Sequence, residues 1–270
     1  RQIAHSALQV ADAASHLGLP VIAKATTSGY DGKSQWHLNN DDQVRAFCFE
    51  NQAGDWLVES KIQFDREVSF LAARSANGDV ALYPPTENHH EDGVLLTSVA
   101  PAEGLPADLL ADGYDYLRRL LEAMDYVGML AMECFVTDEG LLINELAPRV
   151  HNSGHWTMHS EATSQFENHL RAILGMNLGS TQVHRVSGMI NILGHYNREA
   201  ALRQLPSGAT LTDYNKTFAP RRKLGHINVS HSNREDVLEE LGRLHHKLYL
   251  EEEQSEDNHR FSLTADLKGG

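Results

Sequence analysis

Two short apolar segments near the middle of the chain predict a β-hairpin. They are Met129–Val136 and Leu141–Leu146, and the turn-forming residues 137–140, Thr-Asp-Glu-Gly, connect them. Each predicted strand carries one carboxylate, Glu133 or Glu145, among apolar neighbours, where we expect the side chain to be buried. Because an ionised carboxylate is almost never buried without a partner, a cation should lie between the two glutamates.

An arginine or a metal ion can supply that cation. Arg149 follows Glu145 by four residues, so a structural salt bridge is one interpretation. The other is a divalent ion held by Glu133, Glu145 and the amide oxygen of Asn144. This all-oxygen set suits Mg²⁺ or Mn²⁺ better than Zn²⁺. A Mg²⁺ ion with two carboxylate ligands keeps open positions, which water and the phosphates of a nucleotide usually fill.

Composition excludes several classes of function. The 270 residues are 41% hydrophobic and 22% charged, as in a soluble globular protein of one large or two ordinary domains. No apolar run approaches the ~18 residues of a transmembrane helix and no signal peptide opens the chain, so we expect a cytoplasmic protein without a membrane partner. Cys48 and Cys134 form no disulfide framework or zinc pattern. The net charge of −14 argues against a nucleic-acid partner.

The first sixty residues predict a helix, two strands and a loop that can bind phosphate. The helix spans Ile3–Leu17, with no strand before it, and Gly18-Leu19-Pro20 ends it. Val21–Lys24 is a short buried strand ending in a lysine, and Trp56–Glu59 is a strand ending in a carboxylate. Between them, the sequence TTSGYDGKSQW (26–36) can wrap backbone N–H groups around phosphate oxygens, with an ordinary glycine-containing turn as the alternative.

The remaining sequence predicts strands and helices in alternation. The predicted elements are a strand at Arg66–Leu71, an amphipathic helix at 158–176, strands at Gly188–Leu193 and Lys223–Val229, and a helix at Arg234–Leu250. An acidic tail begins at Glu251, and its last stretch, Arg260–Leu267, is either an edge strand or disordered.

Six segments together resemble the 5-(carboxyamino)imidazole ribonucleotide synthases, the ATPase subunits of phosphoribosylaminoimidazole carboxylase, in the ATP-grasp superfamily. They are GYDGKSQ (29–35), VESKIQFDREVS (58–69), HHEDGVLLTSVAP (89–101), AMECFV (131–136), NELAPRVHNSGHWT (144–157) and RRKLGHINV (221–229). The resemblance covers nearly the whole chain and implies a ligase of de novo purine biosynthesis. In that reaction the exocyclic amine of 5-aminoimidazole ribonucleotide is carboxylated with bicarbonate in the presence of ATP and Mg²⁺, and ADP and phosphate are released.

The resemblance also implies an α+β, ATP-grasp fold. We expect a lid subdomain over residues 1–60, a central subdomain with the metal site over 61–180, and a small C-terminal domain with the acidic tail over 181–270. The family normally begins with a separate nucleotide-fold domain, which we expect to be absent from this chain. A homodimer is expected because the family forms homodimers.

The resemblance assigns nucleotide and metal contacts to particular residues. Lys24 would contact the phosphates, the 29–35 loop would close over them, and Glu67 would hold the ribose hydroxyls. The metal ligands would be Glu133 and Glu145. The full nucleotide set is Lys24, Gly29, Tyr30, Asp31, Gly32, Lys33, Ser34, Gln35, Glu59, Ser60, Lys61, Ile62, Glu67, His90, Asn144 and Glu145.

The second substrate carries a phosphate monoester, which requires a basic pocket of its own. The resemblance places Arg149, His151, Asn152, His155, Arg222 and Lys223 around it. Tyr30, Asp31 and Arg149 are the expected catalytic residues, the first two reaching the imidazole and the transferred carboxyl group. His155 is either an acid or base, since imidazole titrates near neutral pH, or a structural histidine, and no proton transfer is assigned to it.

A zinc site is the competing interpretation of the two histidines. His151 and His155 are four residues apart, as zinc ligands on a helix are, but Asn152-Ser153-Gly154 is a poor helix former. The glutamate that follows the first histidine of a zinc protease is also missing. We therefore rank a zinc hydrolase far below a magnesium enzyme.

Several residues depart from the family pattern. Ser28 and Ser34 replace glycines of the phosphate loop, and Ala219 and Arg221 alter the surroundings of the arginine-lysine pair. A Cβ atom in a phosphate loop limits how closely the backbone approaches its ligand. An active ligase and a MgATP-binding fragment or paralogue without turnover, acting as an interaction module, are therefore both hypotheses. A third is a related carboxylase with a different acceptor.

Overall fold

The computed structural model describes residues 1–27, 34–51, 53–194, 202 and 205–250. The chain divides into two compact units, one formed by Arg1–Gln63 with Asp92–Val94 and the other by Phe64–Glu91 with Leu95–Gly270. Within the described ranges, none of the helices has the length and apolar character that crossing a membrane requires. The predicted three-part division at residues 60 and 180 stays a prediction.

The first unit is an antiparallel sheet with two helices on one face. Its elements are β1 (Gln2–Ala4), α1 (Ala7–Leu17), β2 (Val21–Ala25), β3 (Gln35–Leu38), α2 (Asp41–Glu50) and β4 (Trp56–Ser60), and the strand order is β1-β4-β2-β3. Val21, Ala23 and Val58 are fully buried and pack with Val10 of α1 and Phe47 of α2. Because side chains alternate along a strand, the residues of β2 and β4 that alternate with these buried ones point to the opposite face of the sheet.

The prediction that the chain opens with a helix is wrong. Residues 2–4 form β1, which pairs with Trp56–Val58 of β4. The helix begins only at Ala7, because the Ser6 side chain accepts a hydrogen bond from the backbone N–H of Gln9 and caps the helix there. The predicted end at Leu17 is confirmed.

The second unit is built on a nine-stranded sheet. Its strands are β5 (Arg66–Arg74), β6 (Val80–Leu82), β7 (Thr86–Glu91), β8 (Val94–Ala100), β9 (Gly128–Thr137), β10 (Gly140–Ala147), β11 (Val186–Leu193), β12 (Thr210–Asp213) and β13 (Lys223–His231). They follow the order β10-β9-β5-β7-β8-β11-β13-β12, with β6 beside β5. The predicted hairpin is thereby confirmed as β9 and β10, and β10 is an edge strand of the sheet.

Helices cover both faces of this sheet. On one face, α3 (Ala107–Ala123) packs Leu117 and Leu121 against Phe70 and Met132, and α5 (Arg234–His245) packs against β11 and β13. On the other face lie a 3₁₀ helix (Asn152–His159) and α4 (Gln165–Ile173). Trp156 of the 3₁₀ helix is fully buried there and donates its indole N–H to Thr86 Oγ1 at 2.9 Å.

Two predicted helices have different limits in the structure. The helix predicted over 158–176 is shorter, because the Ser164 side chain accepts from the N–H of Glu167 and starts α4 at Gln165. The helix predicted over Arg234–Leu250 is α-helical to His245, and a π-helical turn continues it over His246–Leu250. The tail after residue 250 lies outside the described residues.

Candidate active site

A β-bulge places the two predicted metal carboxylates opposite each other. Ile143 pairs with Cys134, yet two residues later Glu145 pairs with Glu133, so Asn144 is the extra residue. In a regular ladder Glu145 would pair with Met132, whose side chain lies in the core beneath α3. The bulge therefore moves Glu145 onto the same face as Glu133, as bulges beside functional sites often do.

The two carboxylates have different surroundings. Glu133 is 15% exposed. Burial raises its pKa, the carboxylates of Glu145 and Glu67 raise it further, and His90 and Lys223 lower it. Glu145, by contrast, is exposed, and the expectation of a buried side chain is wrong because β10 is the edge strand.

The salt-bridge interpretation of the hairpin has no support in the described part of the chain. Arg149 is exposed and donates to the backbone oxygen of Val150 at 3.0 Å, and it forms no ion pair with Glu145. Two carboxylates on one face thus share no arginine. Such a pair, with the amide of Asn144 beside it, fits the oxygen ligands that Mg²⁺ prefers. Among the described residues, no group of three or more His, Cys, Asp or Glu is arranged to hold a metal ion.

His151 is a neutral imidazole that lies against Glu133. Its Nδ1 accepts a hydrogen bond from the backbone N–H of Ser153 at 3.3 Å, and its Nε2 lies 3.4 Å from Glu133 Oε1. Burial, followed by the charges of Arg149, Lys223 and His90, lowers the pKa of His151 to about 3. The contact with Glu133 is therefore not an ion pair, and His151 lies where a group that orients a metal ligand from outside would lie.

Glu67 and His90 contact each other on the neighbouring strands. Glu67 Oε2 lies 2.7 Å from His90 Nδ1, and both side chains are about one-fifth exposed, at 19% and 21%. Beside them, Asn88 donates to Ser69 Oγ at 2.5 Å and accepts from Ser98 Oγ at 2.8 Å. Since Ser69 pairs with Glu133, a polar stripe continues from the two glutamates of the hairpin across β5 and β7.

Lys223 is a basic residue whose charge acts on this cluster. It lowers the pKa of Glu133, His151 and His155. Arg222 points elsewhere, donating to both the backbone oxygen and the hydroxyl of Thr217 at 3.1 Å. The structure thus joins Lys223, but not Arg222, to the predicted substrate residues.

Asn152 is held by a residue that sequence reasoning missed. Its side-chain amide exchanges two hydrogen bonds with the amide of Asn191, at 3.1 and 2.5 Å. Asn191 is fully buried on β11 and also donates to the backbone oxygen of Leu95 at 2.8 Å. A single asparagine within the apolar run Gly188–Leu193 was the available signal, because a buried polar side chain needs a partner.

His226 and Asn228 are further buried polar residues that sequence reasoning missed. Both are 1% exposed, and they project from β13 beside the 3₁₀ helix. His226 Nδ1 contacts Tyr214 Oη at 2.7 Å, and Asn228 donates to the backbone oxygen of His155 at 2.9 Å. Within the described ranges, His226 Nε2 and Asn228 Oδ1 have no hydrogen-bond partner, which leaves two polar atoms able to bind a ligand.

The first unit carries a second group of predicted residues on the face opposite its helices. Lys24 Nζ and Glu59 Oε2 form an ion pair of 2.8 Å. Gln35 pairs with Lys24 on this face, whereas Ser60, the last residue of β4, pairs with Val21 and lies on the face that the helices cover. His37, which sequence reasoning missed, pairs with Ile22 on that face, and burial, Lys61 and Lys24 lower its pKa.

The other predicted nucleotide residues are placed in part. Lys61 is exposed and its backbone N–H donates to Pro20 O at 3.0 Å, while Ile62 is half-buried. The Ser34 backbone oxygen accepts from Ala25 N at 2.9 Å. Gly29, Tyr30, Asp31, Gly32 and Lys33 lie outside the described residues.

Two family models match the chain. The ATP-grasp domain family matches residues 2–166, and the family described as phosphoribosylaminoimidazole carboxylase C-terminal domain matches residues 187–240. The N5-carboxyaminoimidazole ribonucleotide synthase of Escherichia coli (strain K12) is 45% identical over 219 residues, which are 80% of this chain and 60% of that protein.

Solved structures show the same similarity. An ADP complex of an N5-carboxyaminoimidazole ribonucleotide synthetase superposes with a TM-score of 0.84 at 37% identity, covering 90% of this chain and 65% of the other. The Aspergillus clavatus synthase in complex with ADP and 5-aminoimidazole ribonucleotide has a TM-score of 0.76 at 25% identity, covering 87% and 65%.

The chain spans less than two thirds of the length of the first curated relatives that it matches. The α+β fold and the resemblance seen in the sequence motifs are both confirmed by these matches. Since the ATP-grasp domain alone accounts for residues 2–166, this protein belongs to the ATP-grasp family, on the branch of the N5-carboxyaminoimidazole ribonucleotide synthases.

Proposed function

We propose that this chain carries the ATP-dependent carboxylation of 5-aminoimidazole ribonucleotide in de novo purine biosynthesis. Bicarbonate, ATP and the ribonucleotide would give 5-(carboxyamino)imidazole ribonucleotide, ADP and phosphate. The observation that carries the proposal is the bulge that sets Glu145 opposite Glu133, with Lys223 within electrostatic range of Glu133. The names of the relatives support the same reaction.

The chemistry explains why charged groups of both signs are needed. Transfer of the terminal phosphoryl group of ATP to a bicarbonate oxygen gives carboxyphosphate and ADP. The amine then forms a bond to the carboxyl carbon, either directly or after CO₂ is released, the carbon–oxygen bond to phosphate breaks, and the amine loses a proton. Phosphoryl transfer depends mainly on positioning and on neutralising negative charge, so carboxylates for a metal and lysines for phosphates are the residues required.

We assign the nucleotide contacts to the residues that the resemblance implies. Lys24, held by Glu59 at 2.8 Å, would bind phosphate oxygens as a point charge. Glu67, oriented by His90 at 2.7 Å, would accept hydrogen bonds from ribose hydroxyls. Glu133 and Glu145 would hold Mg²⁺, which when bound neutralises charge on the nucleotide phosphates. The remaining nucleotide residues, including those of the 29–35 loop, keep the roles that the resemblance implies.

We assign 5-aminoimidazole ribonucleotide to the face of the second unit that carries the 3₁₀ helix. Lys223 would bind its phosphate together with Arg222, whose guanidinium would leave Thr217 on binding. The imidazole residues His151 and His155, with Asn152, line the same face, and Arg149, Tyr30 and Asp31 would act on the carboxyl group. A homodimer and a cytoplasmic location belong to the same proposal.

The test is ADP formation by this chain with MgATP and bicarbonate, measured with and without 5-aminoimidazole ribonucleotide. We expect the ribonucleotide to stimulate ADP formation and the carboxylated product to appear in equal amount. Glu145→Gln should abolish stimulation, whereas Glu139→Gln, an equal charge change in the exposed hairpin turn, should retain it. MgATP binding without stimulation would instead leave a nucleotide-binding module that lacks turnover.

A second measurement tests the substrate pocket separately. Lys223→Met should raise the KM for the ribonucleotide by about tenfold or more, because a charged hydrogen bond to phosphate is lost. The Kd of MgATP should change little in this variant. Equal losses for both ligands would contradict the assignment of Lys223 to the ribonucleotide.

A further inference from the structure

A buried glutamine, Gln165, contacts both His151 and His155. Gln165 is the first residue of α4 and is fully buried. Its backbone N–H donates to Thr157 Oγ1 at 3.0 Å. Its side-chain oxygen accepts from the backbone N–H of His151 at 2.9 Å, and its side-chain nitrogen donates to the backbone oxygen of His151 at 2.7 Å. The same nitrogen lies 3.0 Å from His155 Nδ1.

The backbone of His151 fixes which end of the Gln165 amide is the donor. A flipped amide would place its NH₂ group against the His151 N–H and its oxygen against the His151 carbonyl, and both contacts would be repulsive. The nitrogen must therefore face both the His151 carbonyl and His155 Nδ1. Since an amide nitrogen can only donate, His155 Nδ1 accepts and carries no proton.

Packing prevents Gln165 from moving to another position. A Cβ atom at Gly154 would lie 2.6 Å from Gln165 Oε1 and 2.5 Å from Leu71 Cδ2, so the backbone of the 3₁₀ segment rests directly on the amide. Contacts of this kind leave one rotamer for the side chain. The donor that Gln165 presents to His155 is thus a rigid feature of the fold.

The ring of His155 is held between two other rings. Phe166 stacks on it at 5.6 Å with an angle of 18°, and His226 stacks at 4.6 Å with an angle of 23°. Burial, followed by the charges of His226, His151, Lys223 and Lys216, keeps the pKa of His155 well below its ordinary value. A neutral imidazole whose Nδ1 carries no proton has its proton on Nε2.

We propose that Gln165 is a positioning residue that holds His155 as a neutral imidazole with its proton on Nε2. His155 then offers substrate one N–H donor and no basic nitrogen. It is a hydrogen-bond donor to an oxygen of the substrate and not the base that removes the proton of the amine. The part of this inference that concerns substrate rests on the proposed function, whereas the protonation of His155 does not.

Nitrogen NMR tests the protonation directly and needs no substrate. Long-range ¹H–¹⁵N correlation spectra of the chain labelled with ¹⁵N-histidine distinguish the two tautomers, and the His155→Gln variant identifies the signals of His155. We expect the Nε2–H form of His155 throughout pH 6–8. An Nδ1–H form, or a charged ring within that range, would overturn the proposal whether or not the chain is an active ligase.

A charge substitution then tests whether Gln165 is the cause. In Gln165→Glu an oxygen replaces the amide nitrogen. As a carboxylate, or as a carboxyl whose O–H donates to the His151 carbonyl, it presents a lone pair to His155, so Nδ1 of His155 should gain a proton. Gln182→Glu, an exposed position in the same unit, should leave the spectrum of His155 unchanged. An unchanged tautomer in folded Gln165→Glu would contradict the inference, and if that variant fails to fold, the wild-type spectrum still decides it.

A double-mutant cycle separates positioning from general support of the segment. Gln165→Glu should lower kcat/KM for 5-aminoimidazole ribonucleotide by about three- to tenfold, the effect of one hydrogen bond, and leave the KM of ATP unchanged. In the His155→Gln background the same change should have little effect, because no tautomer remains to be set. An equal loss in both backgrounds would show that Gln165 only supports the backbone and would overturn its positioning role.

Discussion

Replacing Glu133 with glutamine should make the metal-free protein more stable and the nucleotide-bound protein less stable. Glu133 faces Glu145 across the hairpin, and burial is the main cause that raises its pKa. In the metal-free protein the two carboxylates therefore repel each other. Glutamine has nearly the same shape and removes one of the two charges.

The magnitude follows from the pairing. Like charges directly opposite on neighbouring strands destabilise by about 0.2–1 kcal/mol, so Glu133→Gln should raise the free energy of unfolding by that amount at pH 7. The sign also depends on pH. Because the fold raises the pKa of Glu133, the wild type loses stability as the pH rises through that value, whereas glutamine does not titrate. The advantage of the variant should vanish below the ordinary glutamate pKa of 4.5.

Urea unfolding with EDTA and again with MgATP measures both effects. A ligand at one hundred times its Kd stabilises the folded state by about 2.7 kcal/mol, a gain that the wild type should show and Glu133→Gln should lose. The order of stability should therefore reverse between the two conditions. Glu139→Gln, in the exposed turn of the same hairpin, should show neither effect. If Glu133→Gln instead destabilises the metal-free protein, cations of the protein already balance the pair and the metal assignment fails.

Two further predictions concern packing and phosphate binding. Gly113→Ala should destabilise by about 1–3 kcal/mol, because its Cβ would overlap the Phe70 ring. Gly242→Ala should stabilise by about 1 kcal/mol, because nothing lies within 4 Å of its Cβ. Thermal unfolding measures both variants, and equal shifts would contradict the packing of α3 on β5. Lys24→Gln should weaken MgATP binding by about tenfold or more in calorimetry, with Lys247→Gln as the control, and an unchanged Kd would remove Lys24 from the phosphate site.

The sequence predicted the elements whose signals are local. The hairpin, the strand ending at Lys24 and the strand ending at Glu59 all appear within a residue or two of their predicted limits. β1 was missed because its three residues gain their partner only when they pair with a strand more than fifty residues away. Propensity within a short window contains no such information.

The candidate site also contains some residues that the sequence predicts and some that it does not. Charged residues in recognisable motifs, such as Glu133 and Lys223, could be named from the sequence. The exposure of Glu145 could not, because the position of β10 at the edge of the sheet is a property of the whole topology. Gln165 was also missed, because its side chain bonds mainly to the backbone of His151, which lies outside its own helix. A lone glutamine at the start of a helix also has no distinguishing pattern.

The bulge at Asn144 holds a residue that the pairing of the two glutamates does not require. Deletion of Asn144 would bring Glu145 directly after Ile143, and Glu145 would then pair with Glu133 in a regular ladder on the same face of the sheet. The gene can therefore lose this codon and still place both carboxylates together, while the amide beside them is lost. In a mutational scan of this hairpin, deletion of Asn144 should be tolerated about as well as its replacement by alanine.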